Sequence, residues 1–290
     1  MFLSVFFISN YWLAVIDAEF TAMPTFPDDP ELLLLNGDLN TDVEVIIGTN
    51  SGEGVLYWLY NLFEPSYWDA YRETYDSDGV RKLFQLSRDP TAEEIEKAHR
   101  IVDFYVGSLE NVNSHITEEH IKGMVDYTTD AGFLYGSRKT LDYLSKCGVK
   151  VYQYIFSYVG EYNTACLYGH CGLGVAHAEE LQYIWGGGKG KKIVLGNYKF
   201  KSYMNSINYH ILSNKGTGDF NEADEAVRQM VTTAWTDFAK TGNPGLSWTP
   251  QTSGSEIQYL NINGVSPIME YAQDIHDRMQ LWTEEVGTAK

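Results

Sequence analysis

Cysteine is scarce, with three in 290 residues: Cys147, Cys166 and Cys171. Three is too few for a disulfide-stapled scaffold, and none of the spacings suits a zinc site. Cys166 and Cys171 either close a small local loop in an oxidising compartment or stay two thiols, and spacing does not choose. No Asn-x-Ser/Thr acceptor occurs, which argues weakly against a glycosylated, secreted product. Basic residues are few as well: 21 Lys and Arg against 39 Asp and Glu leave a formal net charge of −18. Such a surface repels phosphate backbones, so nucleic acid is not expected as a partner. No block of five or six like charges occurs, so the acidity belongs to a folded face and not to a tail. An uninterrupted membrane span is missing too. The apolar opening over residues 1–15 is broken by Ser4, Ser9 and Asn10 and is too short to cross a bilayer. It also lacks the basic region and cleavage site of a signal peptide. Residues 1–11 read as an atypical start, and compartment stays open.

What is present is an ordinary globular composition, 44% hydrophobic and 21% charged, long enough to bury a substantial core. Rings are plentiful, with 21 Tyr, 13 Phe and 7 Trp, and suit a core or a cleft for apolar ligands. The β-branched run over residues 43–48 predicts a buried strand stopped by Gly, Asn, Ser and Gly. Thr91 and Glu94 form a capping box ahead of Ile95, Ala98, Val102 and Tyr105 at helical spacing. A long ring-rich strand is predicted at 149–158, a helix at 222–240 closed by Gly242 and Pro244, a strand at 258–260 and a last helix at 274–285. Strands separated by long helical stretches imply an α/β fold with a mixed, mostly parallel sheet and helical crossovers. The glycine cluster Gly186, Gly187, Gly188 and Gly190 superficially suggests a phosphate loop. It lacks the Ser or Thr after Gly-Lys and the strand–turn–helix setting, so it reads as a surface loop.

Chemistry in such sheets gathers beyond the carboxyl ends of the strands. Two segments fit that place. Gly48-Thr49-Asn50-Ser51-Gly52-Glu53-Gly54 puts one acid between glycines directly after a strand. His177 follows the ring-rich strand on a glycine-rich loop, just before a helix expected from Glu179. A neutral imidazole is the natural general base near neutral pH. Acid before base, each at a strand end, follows the Ser…Asp/Glu…His order of α/β-hydrolases.

The segment Gly48 through Gly54 resembles the Gly-x-x-x-x-Glu-Gly motif of type-B carboxylesterases and cholinesterases. The stretch holding Gly174, His177, Glu180 and Leu181 resembles that family's Gly-x-x-His-x-x-Glu-Leu block. Residues 12–20 are similar to its Pro-Val-Ile-Asp-Gly-x-Phe segment, with Ala14 and Ala18 in place of Pro and Gly. Residues 151–158 are similar to its Val-Tyr-x-Tyr-x-Phe strand. Residues 235–244 are similar to its Trp-x-x-Phe-Ala-x-x-Gly-x-Pro block, followed by Trp248 and Pro250. On these motifs the chain is identified as a member of the family, arthropod-like, over residues 12–282. The resemblance implies the C-terminal part of an α/β-hydrolase, with residues 12–290 as a partial domain. It implies Glu53 as triad acid, His177 as triad base and Glu180 as a brace for the loop, with Glu179 facing solvent. It implies no cofactor and no metal, a small apolar carboxylic ester as substrate of the full-length enzymes, and often secretion.

The family's Gly-x-Ser-x-Gly nucleophile is absent. Gly245-Leu246-Ser247 and Gly264-Val265-Ser266 begin correctly, but Thr249 and Ile268 stand at the closing glycine, and both lie after His177. The glycine-rich oxyanion segment is missing too. The expectation is a chain that holds acid and base but is inactive alone. The alternative is a non-catalytic cholinesterase-like adhesion or binding protein.

Overall fold

The run before Gly48 forms a strand, but a longer one than its glycine suggests. The computed structural model describes residues 16, 18–24, 27–59, 66–84, 86, 88–109, 116–185, 220–251 and 258–287. The atypical start, most of the 12–17 segment and the glycine cluster at 186–190 lie outside them. Helix α1 (Pro30–Leu35), capped by Asp29, precedes strand β1 (Glu44–Asn50). β1 runs through Gly48 because Gly48, Thr49 and Asn50 pair in parallel register with Tyr154, Ile155 and Phe156. The glycine is not a stop. A Cβ there would stand 2.3 Å from the Tyr154 ring, so its missing side chain makes room for a neighbouring aromatic.

After β1 come α2 (Val55–Trp58), α3 (Ser66–Thr74), a π-turn at Tyr75–Gly79 and α4 (Val80–Leu83). Helix α5 (Ala92–Val106) starts on the predicted box: Glu94 N donates to Thr91 Oγ1, and Thr91 N donates to Glu94 Oε2 at 2.7 Å. Helices α6 (Glu118–Thr129) and α7 (Tyr135–Lys146) are joined by a second π-turn, Asp130–Leu134. Strand β2 (Lys150–Phe156) follows, then the short helices α8 (Thr164–Leu167) and α9 (Leu181–Ile184). Helix α10 (Glu222–Thr241) ends at Gly242, whose φ of 71° is left-handed, as the predicted cap requires. Strands β3 (Tyr259–Ile262) and β4 (Ile268–Glu270) and helix α11 (Gln273–Val286) complete the chain.

The strand order is β1-β2-β3-β4, with β1, β2 and β3 parallel and β4 antiparallel to β3. This is the expected mixed, mostly parallel sheet with helical crossovers. Strand β2 shows why both faces are covered. Its alternate residues Tyr152 and Phe156 pack with Val227 and Val231 of α10 and with Trp248. Val151, one residue before Tyr152, packs with Leu141 and Leu144 of α7. A third cluster gathers Trp58, Trp68, Tyr71, Ile101, Met124 and Trp282 among the helices. Each such side chain, fully buried, contributes roughly 1.5–3 kcal/mol. No helix among the described residues is long and apolar enough to cross a membrane. The layers hold the C-terminal ends of β1 and β2 side by side, which is where the acid and the histidine emerge.

Candidate active site

Close backbone approach builds this site. A Cβ on Gly52 would lie 2.5 Å from Leu173 O, and one on Gly54 would lie 2.8 Å from Val125 O. The bare backbone lets the acid turn zip against the histidine loop. Gly52 N donates to Val175 O at 3.0 Å, and Val175 N donates to Ser51 Oγ at 3.1 Å. Asn50 Nδ2 donates to Ala176 O at 2.9 Å and also to Glu180 Oε2. Glu53, 5% exposed, is held from both sides. Its Oε1 accepts Asn50 N at 2.7 Å, and its Oε2 stands 2.7 Å from His177 Nδ1.

The histidine loop is fixed by its own turns. Cys166 and Cys171 are joined by a disulfide that closes a small loop ahead of it. Gly174 turns the chain with φ +98°, a conformation that favours glycine. Ala178 also has positive φ, +66°, directly after the histidine. Non-glycine residues in that region cost about 1 kcal/mol or more and persist where neighbours hold them. The His177 side chain is 43% exposed, and its ring lies against Phe133 with centroids 5.0 Å apart. A buried carboxylate on Nδ1 of a half-exposed imidazole suits a proton-transfer pair.

The family model that matches is described as the carboxylesterase family, over residues 4–276. The chain belongs to that family. Bile salt-activated lipase from Bos taurus is 24% identical over 285 residues, spanning 94% of this chain and 40% of the lipase. Acetylcholinesterase from Leptinotarsa decemlineata is 22% identical, over 82% of this chain and 32% of its own. Among solved structures, juvenile hormone esterase from Manduca sexta, with OTFP covalently attached, aligns with a TM-score of 0.65 at 16% identity. That match covers 94% of this chain and 47% of the esterase, and it shows the fold to be that of an α/β-hydrolase. The chain spans less than half the length of these relatives.

Electrostatics in this carboxylesterase-family site follow from burial and pairing. The hydrogen bond to Glu53 raises the His177 pKa above its ordinary 6.5, against the opposing effect of partial burial. Burial raises Glu180, opposed by its hydrogen bond from Asn50 and reinforced by the nearby Glu53. Glu179 corrects the reading from sequence: it does not face solvent. It is 5% exposed, accepting Thr164 N at 2.6 Å and Asn163 Nδ2 at 3.0 Å. Burial pushes its carboxyl up to about 7. The helix expected from Glu179 begins only at Leu181, and the left-handed Ala178 leads Glu179 into a turn where its carboxyl meets residues 163 and 164.

The sequence reading also passed over Asn50, Asn163 and Phe133. Asn50 lies inside the motif that flagged Glu53, but only the fold shows that its amide bridges two loops. Asn163 caps α8 through Cys166 N at 2.9 Å and also donates to Gly174 O at 3.0 Å. Nothing in the spacing pointed to Phe133. Ser247 and Ser266 sit exposed in turns after α10 and between β3 and β4.

The glycine contact carries a prediction. Gly52→Ala should force the acid turn away from the histidine loop and destabilise the chain by about 1–3 kcal/mol, the usual cost of overpacking. Gly172→Ala, whose added methyl meets nothing within 4 Å, is the control and should melt like the parent. Equal melting temperatures for the two variants would refute the close-approach argument.

Proposed function

We infer that this chain supplies the acid and base of a serine carboxylic-ester hydrolase. The observation that carries the reading is the 2.7 Å approach of Glu53 Oε2 to His177 Nδ1, with the acid buried and the imidazole partly open. In this role His177 Nε2 takes the proton of a serine hydroxyl as its oxygen attacks the ester carbonyl, then returns it to the departing alcohol. Glu53 holds the Nδ1–H tautomer and stabilises the imidazolium formed between those steps. Glu180, through Asn50, braces the histidine loop. The substrate class is a small apolar carboxylic ester.

The nucleophile belongs to this proposal as a missing part. No Gly-x-Ser-x-Gly occurs in the sequence, so the serine and the oxyanion donors have to come from another segment. The chain alone is therefore inactive. A fusion to the family half that carries the Gly-x-Ser-x-Gly elbow should hydrolyse an aryl ester and take organophosphate label on the elbow serine. The isolated chain should do neither. A folded fusion without turnover would favour the non-catalytic binding reading, and stoichiometric labelling of a serine in the isolated chain would refute the missing nucleophile.

A further inference from the structure

Helices α6 and α7 form one rod interrupted by the π-turn Asp130–Leu134. An inserted helical residue breaks the regular ladder and re-aims the side chains around it, so a π-turn persists only where its neighbours hold it. This one is held at its first residue. Asp130 is fully buried, and its Oδ2 accepts Tyr105 Oη at 2.5 Å. Trp282 Nε1 donates in turn to Tyr105 Oη at 2.8 Å. Arg278 Nε stands 2.9 Å from the same Oδ2, off the N–H axis and without a linear hydrogen bond, a contact that becomes an ion pair when Asp130 ionises near neutral pH. Arg278 and Trp282 are one turn apart on α11, so the last helix reaches the turn directly through Arg278 and indirectly through Tyr105. Three residues after Asp130, Phe133 lays its ring against His177, tilted by 44°.

These contacts divide the task of holding the imidazole. The bond from Nδ1 to Glu53 holds one atom of the ring, and Phe133 adds a contact at the ring itself. A tilted aromatic ring with its centroid 5.0 Å away limits how far the imidazole can rock. Proton transfer needs donor and acceptor held to within about 0.5 Å and 10–20°. A buried ion pair is a poor source of net stability compared with apolar packing of the same volume. What Asp130 and Arg278 supply is a fixed register between α11 and the π-turn. We propose that Phe133 is a positioning residue for His177, and that Asp130, anchored by Arg278 and Tyr105, sets the π-turn that aims it. The last helix thereby governs the orientation of the imidazole.

The proposal rests on the reading of His177 as the base, and its test needs no esterase activity. The full chain is labelled on histidine, and the His177 ring resonances are assigned by their loss in His177→Ala. Phe133→Leu removes the neighbouring ring current, so it should move those resonances and the titration midpoint. Phe133→Tyr should keep both near the parent values. Asp130→Asn should move the same resonances while the chain still melts cooperatively. If Asp130→Asn does not fold, Arg278→Lys, which keeps the charge but loses the planar fork, is read in its place. Unchanged resonances in Phe133→Leu overturn the proposal, and unchanged resonances in a folded anchor variant overturn the role of Asp130 and α11. The acid–base reading fails separately, if Glu53→Gln leaves the His177 midpoint where it was.

Discussion

In a protein completed by a serine elbow, His177→Ala is expected to lower turnover on the order of 10⁶-fold, and Glu53→Gln on the order of 10⁴-fold. Alanine removes the group that, among the described residues, is proposed to take the serine proton, so the acid–base contribution goes. The glutamine variant tests something finer. The Glu53 oxygens accept from Asn50 N on one side and face His177 Nδ1 on the other, at 2.7 Å each. Glutamine has one accepting oxygen and one donating amide. If the oxygen keeps Asn50 N, the amide nitrogen faces Nδ1 and forces the proton onto Nε2. The base is then lost although the shape of the site is kept. Turnover of an aryl ester by folded variants decides it, and a Glu53→Gln loss of less than about tenfold would remove Glu53 from the triad. The pH profile adds a second reading. His177 must be neutral to act, and Glu53 raises its pKa above 6.5, so the acidic limb lies above that value and moves down in Glu53→Gln.

What was legible from sequence divides along physical lines. The α5 capping box and the Gly242 cap are local, each decided within a few residues, and they stand where the residue types put them. The acid and histidine segments were legible through their resemblance to the family motifs, with glycines on both sides of Glu53 and ahead of His177. Those glycines turned out to matter for backbone contact across the sheet. The misses are all tertiary. Gly48 reads as a stop until Tyr154 lies over it. Glu179 reads as a surface acid until Asn163 and Thr164 close on it. Phe133 had no signal at all, because a helical pattern through residues 118–146 does not show that a π-turn at Asp130 re-aims its side chain. That turn depends on Arg278, contributed from the far end of the chain.

The stability of the chain should fall steeply as pH rises from 5 to 7.5, and two buried acids are responsible. Burial pushes Asp130 from 3.8 up to about 7, even though Arg278 and the Tyr105 hydroxyl favour its charged form and only Asp126 adds to the shift. Burial likewise carries Glu179 from 4.5 to about 7 against its hydrogen bonds from Thr164 and Asn163. Both pKa values are raised on folding, so the folded state holds protons that the unfolded state releases. The stability they contribute is fully present below about pH 4 and is lost as pH rises through about 7. Between pH 5 and 7.5 linkage gives a loss of about 2–3 kcal/mol for each group, a large share of the stability of an ordinary domain. Asp130→Asn with Glu179→Gln replaces each carboxyl by a neutral group of the same shape. The glutamine oxygen can still accept Thr164 N, while its amide replaces the oxygen that accepts Asn163 Nδ2, a cost that does not change with pH. The asparagine oxygen can still accept Tyr105 Oη. The double variant should therefore lose roughly 5 kcal/mol less than the parent across that pH range, with each single variant near half. Urea unfolding at pH 5 and pH 7.5 measures this directly. Parallel pH dependence in parent and double variant would mean that neither acid is protonated in the folded chain at pH 5, and the burial argument would fail at both sites.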